Sequence, residues 1–301
     1  IEGCVCVFCW KTAGFVCFRR LDSALDEWHS ETEVKMLLRL KNYFFLSVVI
    51  LALSGCVVGN GFAPFEIHSQ ADAAGIQKVD IEGVGVVEQF SIESGCIERV
   101  DEIGRSDGAY SDCDYGSVRS EVFEDVWEAK TYGLGQPKSA WYGWEVYIPP
   151  NFPSASQQQN GRNSFVKWHN GQCPHLSVAN ITKSTAVGFQ LLRALGNYQC
   201  ESAKFVRLTS LSEMRGRWTK FEFFIRWDVQ QGEILAYVNG VKKAQFTGRT
   251  LVKGLEDKNR FGYGLYLCCT DDINLIEPTF VRYSKVSRAE TREGLLVNAK
   301  Q

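Results

Sequence analysis

Between residues 86 and 290 no stretch carries the apolar period of a long amphipathic helix; short segments with alternating apolar side chains recur instead. Arg217–Trp227 (RWTKFEFFIRW) shows this best. Thr219, Phe221, Phe223, Ile225 and Trp227 share one face, while Trp218, Lys220, Glu222 and Arg226 lie mostly on the other, because successive strand side chains point to opposite sides. Glu233–Val238 and Val241–Phe246 flank Asn239-Gly240, a dipeptide suited to the type I′ turn whose twist matches paired strands. Further strands are expected at Val86–Ile92, Trp141–Ile148, Ser164–His169, Ala186–Arg193, Ala203–Thr209, Phe261–Leu267 and Thr279–Val286. About ten strands in roughly 200 residues predict an all-β sandwich or jelly roll.

Charge excludes one class of partner. With 33 basic and 35 acidic residues the formal charge is -2, so wholesale nucleic-acid binding is not expected. The sequence contains no internal repeat and no nucleotide-binding glycine motif, and Asn160-Gly161 and Asn170-Gly171 mark loops.

The first methionine is Met36, and it opens the text MLLRLKNYFFLSVVILALSGC. Arg39 and Lys41 make a positive start, and Phe44 to Leu53 form an apolar run of secretory-signal length, too short for a conventional spanning helix. Leu53-Ser54-Gly55-Cys56 resembles the lipobox of bacterial lipoproteins. That resemblance implies cleavage before Cys56, a lipid on its sulfur, and a place on the cell envelope facing the periplasm or exterior. Val57 supplies no acidic retention signal, which leans toward the outer membrane. The expected organisation is a signal peptide over 36–55, a lipidated Cys56 with a tether to 85, and one folded domain over 86–301. Residues 1–35 are expected to be upstream translation; Cys4, Cys6 and Cys9 do not have zinc-finger spacing.

Of the 11 cysteines, four precede Met36 and one is Cys56, leaving Cys96, Cys113, Cys173, Cys200, Cys268 and Cys269. An even number in an exported chain predicts disulfides. Six allow 15 connectivities. Cys96 with Cys113 is a plausible local pair, whereas adjacent Cys268 and Cys269 point to opposite faces of a strand.

Three segments concentrate polar chemistry. They are Arg119-Ser120-Glu121-Val122, Val166-Lys167-Trp168-His169-Asn170 and Phe261-Gly262-Tyr263-Gly264-Leu265-Tyr266. On strands, Arg119 shares a face with Glu121, Lys167 with His169, and Gly264 with Tyr266. Such polar faces need water, partners or a ligand. Tyr263 is expected to be buried opposite them. Trp141, Trp144, Trp218 and Trp227 are expected to pack inside rather than to act as sugar platforms.

In order and text these segments resemble the jelly-roll polysaccharide lyases, especially the heparin lyase I-like group and its alginate lyase relatives. That family carries an R-S/T-E-L strand, a Q-x-H strand and a Y-F-K-x-G-x-Y strand. Trp141-Tyr142-Gly143-Trp144 leading to Tyr147-Ile148-Pro149, and Trp218 through Asn239-Gly240, resemble two further family segments. The likeness covers roughly residues 108–290. It implies a concanavalin A-like sandwich whose curved sheet forms a substrate groove, and β-elimination of a uronate-containing glycan of alginate, glucuronan or glycosaminoglycan type.

It also implies roles. His169 is the base or part of the pair that neutralises the substrate carboxylate, and Tyr266 gives a proton to the leaving oxygen or serves as base for one epimer. Arg119 meets the carboxylate, with Glu121 orienting it. Lys167, Asn170, Arg260 and His175 are further candidates for substrate contact, His175 from a loop at the groove rim. Two departures bear on substrate. Lys167 stands where the family has glutamine, and Gly262 where it has lysine, leaving Arg260 to replace the charge. The chain is expected to act as a monomer on an acidic polysaccharide, tethered to the membrane by its lipid. No cofactor or catalytic metal is implied, with a structural calcium ion left open.

A non-catalytic carbohydrate-binding lipoprotein is the alternative reading. A laminarinase-like hydrolase ranks last, because Glu121, Glu124, Asp125 and Glu128 do not make its E-x-D-x-x-E strand.

Overall fold

Every strand expected above forms in the computed structural model of the protein, which describes residues 4–7, 16–19, 60–69, 75–93, 117–125, 137–156, 161–171, 173–181, 184–196, 199–254, 259–268 and 276–298. The chain divides into two units, Ile1–Gly59 and Asn60–Gln301. In the first, β1 (Cys4–Val7) pairs antiparallel with β2 (Val16–Arg19). The signal segment and Cys56 lie outside the described residues.

The second unit is an antiparallel sandwich. Its strands are β3 (Phe65–Ser69), β4 (Ile76–Ile81), β5 (Gly85–Ile92), β6 (Val118–Glu124), β7 (Ser139–Tyr147), β8 (Arg162–His169), β9 (Pro174–Ile181), β10 (Ala186–Gly196), β11 (Gln199–Ser210), β12 (Trp218–Arg226), β13 (Gly232–Val238), β14 (Val241–Gly248), β15 (Arg260–Cys268) and β16 (Thr279–Ala289). A one-turn helix, α1 (Leu211–Met214), follows β11. The first sheet runs β11-β10-β9-β8-β15-β6-β3 and the second β14-β13-β12-β7-β16-β5-β4. The type I′ expectation at Asn239-Gly240 fits the positive φ of both residues, 50° and 79°.

Aromatic rings fill the space between the sheets. Trp144 of β7 stacks on Phe221 and Phe223 of β12 at 5.5 and 5.3 Å. Trp168 of β8 meets Tyr142 edge-on at 5.1 Å and Trp227 at 6.0 Å. Each fully buried ring of this size contributes about 1.5–3 kcal/mol through removal from water. Tyr263 is buried here, as its parity requires. Trp144 and Trp227 pack inside, but Trp141 and Trp218 are half-buried on the outer face of the second sheet, as the alternation of β12 dictates for Trp218.

The expected tether over 57–85 is corrected. The fold begins at Asn60, and β3, β4 and the start of β5 lie before residue 86. Phe62 stacks on Phe261 at 4.6 Å. Gly61, at φ +79°, lets the chain pass Arg288, whose carbonyl oxygen would lie 2.0 Å from a Cβ at that position. β3 and β4 are edge strands, and edges carry polar residues that blur the strand signal.

Cys173 is buried. The expected pair of Cys96 with Cys113 falls outside the described residues.

Candidate active site

β8, β15 and β6 are neighbours in the first sheet, and their register brings the three polar segments together. Tyr266 lies opposite Arg119, Gly264 opposite Glu121, Gly262 opposite both Phe123 and Lys167, and Arg260 opposite His169. The odd-even parity of each strand then puts these side chains on the outer face. Arg119, His169, Arg260 and Tyr266 are half-buried, around a floor of Glu121, Phe123 and Lys167 that is sealed from solvent.

Lys167 is the hub of that floor. Its Nζ lies 2.8 Å from Glu121 Oε1 and 3.8 Å from the centroid of the Tyr266 ring. Arg119 lies over the same ring at 4.9 Å and stands 4.0 Å from Glu121 Oε2. Glu121 therefore serves Lys167 first and Arg119 second. Burial pushes the Lys167 ammonium down to about 8; the Glu121 carboxylate opposes that shift, and Arg119 adds to it.

His169 is neutral in this setting. Burial, then the positive charges of Lys167, Arg260, Arg119 and Arg162, hold it well below the usual histidine value. The backbone N–H of Gly171 donates to its Nδ1 at 2.9 Å. Because Nδ1 accepts, the neutral ring carries its proton on Nε2 and offers a donor there. The ring therefore presents a hydrogen-bond donor, not an acceptor, at Nε2. The tight turn that supplies the N–H needs Gly171, whose φ is +90°.

Tyr266 owes its aim to a bulge. On the β6 side its pairing is regular, but on the β8 side the register shifts between Tyr263 and Tyr266. Gly264, at φ +139°, permits the approach to β6; a Cβ there would sit 2.3 Å from Ser120 O. The hydroxyl of Tyr283, reaching across from the second sheet, lies 2.7 Å from Phe165 O and 2.9 Å from Gly264 O. It thus serves carbonyls at the irregularity. Tyr266 itself donates to Ser117 Oγ at 3.2 Å.

Gly262 makes room for a ring. A Cβ there would meet Phe123 Cδ1 at 2.3 Å, and Arg260 lies over that ring at 4.7 Å. Lys167, opposite Gly262 in the register, and Arg260, over the Phe123 ring, bring positive charge to this part of the floor.

Asn170 and His175 do not join this face. Both are sealed from solvent. Asn170 Oδ1 accepts from Cys173 N at 2.8 Å, and His175 Nδ1 accepts from Val252 N at 2.9 Å. His175 belongs to β9 rather than a loop, with its ring 6.4 Å from that of core Trp227. They brace the β8–β9 turn and a neighbouring loop. The sequence reading overlooked Phe123, Arg162, Ser117 and Tyr283. Phe123 follows Glu121 by two on the same strand, so parity alone places it. Arg162 lies 6.0 Å from the Tyr266 ring, but the bulge between Ser164 and Val166 breaks the parity that would have placed it. No group of three or more potential metal ligands occurs among the described residues.

A family model described as polysaccharide lyase matches residues 69–276. Among solved structures, the chain resembles an endo-β-1,4-glucuronan lyase from the fungus Trichoderma reesei. The two are 14% identical, with a TM-score of 0.52 over 76% of this chain and 92% of that one. An alginate lyase from Klebsiella pneumoniae is 9% identical, with a TM-score of 0.47 over 72% of this chain and 85% of the other. No curated protein sequence matches.

Proposed function

This chain belongs to the polysaccharide lyase family, and we propose that it cleaves a uronate-containing glycan by β-elimination on the outer face of the first sheet. Alginate, glucuronan and glycosaminoglycans are the candidate substrates. In this reaction the proton on the carbon beside the carboxylate departs and its electron pair forms a double bond to the neighbouring carbon. The glycosidic carbon–oxygen bond breaks, and the leaving oxygen takes up a proton. Arg119 offers a planar fork to the carboxylate. His169, neutral and protonated on Nε2, donates to the enolate-like oxygen that develops there. Tyr266 gives its phenolic proton to the leaving oxygen and takes the departing carbon-bound proton in its place, so the phenol is regenerated. Arg119 and Lys167 lie against its ring, so charge passing through the phenol meets positive potential.

The observation that carries this reading is the convergence of Arg119, Lys167, His169 and Tyr266 on three adjacent strands. The test incubates the protein with alginate, polyglucuronate and a glycosaminoglycan panel and follows ultraviolet absorbance of the unsaturated product. A rise that His169→Ala abolishes supports the assignment. New reducing ends without absorbance would mean hydrolysis, and binding without either would mean a lectin.

We further propose that residues 36–56 export the protein and leave it lipidated at Cys56. With the fold beginning at Asn60, such a lipid would hold the sandwich close to the bilayer. Radiolabelled palmitate incorporation lost in Cys56→Ser would support this; labelling that persists would refute it.

A further inference from the structure

The outer face of the second sheet, across the core from the candidate active site, holds a pocket of about 330 Å³. That volume is at the lower end of the range of small-ligand sites. Trp218 and Lys220 of β12, Glu145 of β7, Lys285 of β16, Asn239 of the β13–β14 turn and the β4–β5 turn line it. Lys220 pairs with Glu145 in the β12–β7 register, so the groups form a row across the strands.

Two features mark this row as more than a solvated surface. The first is an aromatic strip leaving the pocket. Trp218 lies 5.7 Å from Tyr147, which stacks on Phe280 at 6.5 Å, and Arg282 covers Phe280 at 4.7 Å. All four side chains are half-buried, leaving ring surface at the solvent. The second is Lys285. β16 bulges between Ser284 and Ser287, and Lys285 adopts φ +55°, a conformation that suits glycine and strains a lysine. Bulges re-aim side chains, and strain of this kind gathers at functional positions. Here it brings the Lys285 ammonium to 3.2 Å from Glu145 Oε1 in the pocket. Lys220 stands on the other side, 3.6 Å from Glu222.

We propose that this pocket and its aromatic strip form a second, non-catalytic binding site for an acidic saccharide. The indole and phenol rings take the C–H face of a sugar, and Lys220, Lys285 and Arg282 take its carboxylates. The acidic character of the ligand rests on the elimination reading, since the glycan would be the same polymer that is cleaved on the opposite sheet. A long chain could thus be retained while its cut end leaves the active face.

The test is affinity electrophoresis of the full chain in native gels cast with alginate, with polyglucuronate or with neutral hydroxyethyl cellulose, at physiological salt. Wild type and Tyr266→Phe should be retarded by an acidic polymer and not by the neutral one. Trp218→Ala and Lys285→Gly should each weaken that retardation by about fivefold or more, while turnover of short oligouronates stays within about twofold of wild type. Lys285→Gly also relieves the backbone, so a loss of binding there cannot be blamed on misfolding. Retardation unchanged in both variants overturns the proposal. So does equal loss in the exposed control Lys78→Gln, or no retardation of wild type by any polymer. Retardation that depends on Trp218 and Lys285 without any unsaturated product leaves this site standing and sinks the elimination reading; product without such retardation does the reverse.

Discussion

Glu121 and Glu124 stand three residues apart on β6, and both are sealed from solvent. Their odd spacing sends them to opposite faces. Glu124 meets Arg288 of the second sheet bidentately, at 3.2 and 2.9 Å, and also accepts from Ala63 N at 3.1 Å. Arg288 Nε in turn donates to Gly61 O at 2.9 Å. This pair ties together the two sheets and the entry of the chain. Glu121 instead takes Lys167, whose ammonium lies under the Tyr266 ring. An arginine keeps its charge at any ordinary pH; the buried Lys167 gives up its proton near 8. One carboxylate thus anchors the fold with a fixed charge, and the other sits in a titratable network beside the groups proposed to react.

Substitutions should separate the two. Tyr266→Phe should lower kcat by about 100- to 10,000-fold and cost no more than about 0.5–1.5 kcal/mol of stability, the worth of its bond to Ser117. Arg288→Ala should show the opposite pattern. It leaves Glu124 buried without its guanidinium and should cost about 3–5 kcal/mol in urea unfolding, with kcat per folded molecule unchanged. A catalytic defect in the folded fraction of Arg288→Ala would erase the distinction.

Lys167→Gln sharpens it through pH. Folded Lys167 deprotonates near 8, whereas the unfolded chain holds that proton to the ordinary lysine value of 10.5. Between those values the unfolded state binds more protons, so this group makes stability rise with pH while the ammonium beside Tyr266 disappears. Wild-type kcat/KM should therefore fall above pH 8, by about tenfold, as the positive charge under the Tyr266 ring is lost. The glutamine variant should lack that limb. His169 has a dependence of the same sign in a lower pH window. Its folded value lies well below 6.5, so the unfolded chain takes up the proton first and stability falls as pH drops through that range. Its ring resonances should keep neutral shifts where the unfolded histidine is already charged.

Tyr283→Phe is the smallest change. It strips the hydroxyl from the carbonyls of Phe165 and Gly264, costing about 1–3 kcal/mol. Because that hydroxyl sits under the bulge aiming Tyr266, kcat should drop with KM unmoved. An unchanged kcat would mean that the bulge holds its shape unaided.

How much of this could be read beforehand depends on whether a strand has one wet face. β12 alternates cleanly because Phe221, Phe223 and Ile225 face the core while Lys220 and Arg226 face water. β9 (PHLSVANI) gave no such signal. All but its last residue are buried, and Ser177 and Asn180 find partners in Ser164 Oγ and Ala155 N. A strand covered on both sides loses the period of two. β3 and β4 escaped for the opposite reason, since edges are largely exposed and polar. At the site, parity along β6, β8 and β15 was enough to group Arg119 with Glu121 and Lys167 with His169. It could not reveal that Asn170 and His175 turn inward, because a turn and a register shift between Trp168 and His169 interrupt the alternation there.

Alternation, turn dipeptides and the order of three polar segments are local properties, and the amino-acid sequence determines them alone: an all-β chain, a hairpin at Asn239-Gly240, and strands carrying Arg119, His169 and Tyr266. Which strands lie side by side is a matter of long-range register, and only the tertiary structure decided it. It placed β15 between β8 and β6, put Phe123 over Gly262, and set Lys167 under Tyr266. It also turned His169 so that Gly171 occupies Nδ1. Those contacts join residues up to 149 positions apart, as Tyr266 and Ser117 are, and no local period encodes such a distance. Burial and neighbouring charge then set the proton on Lys167 and His169, which depend on the assembled surroundings rather than on residue type.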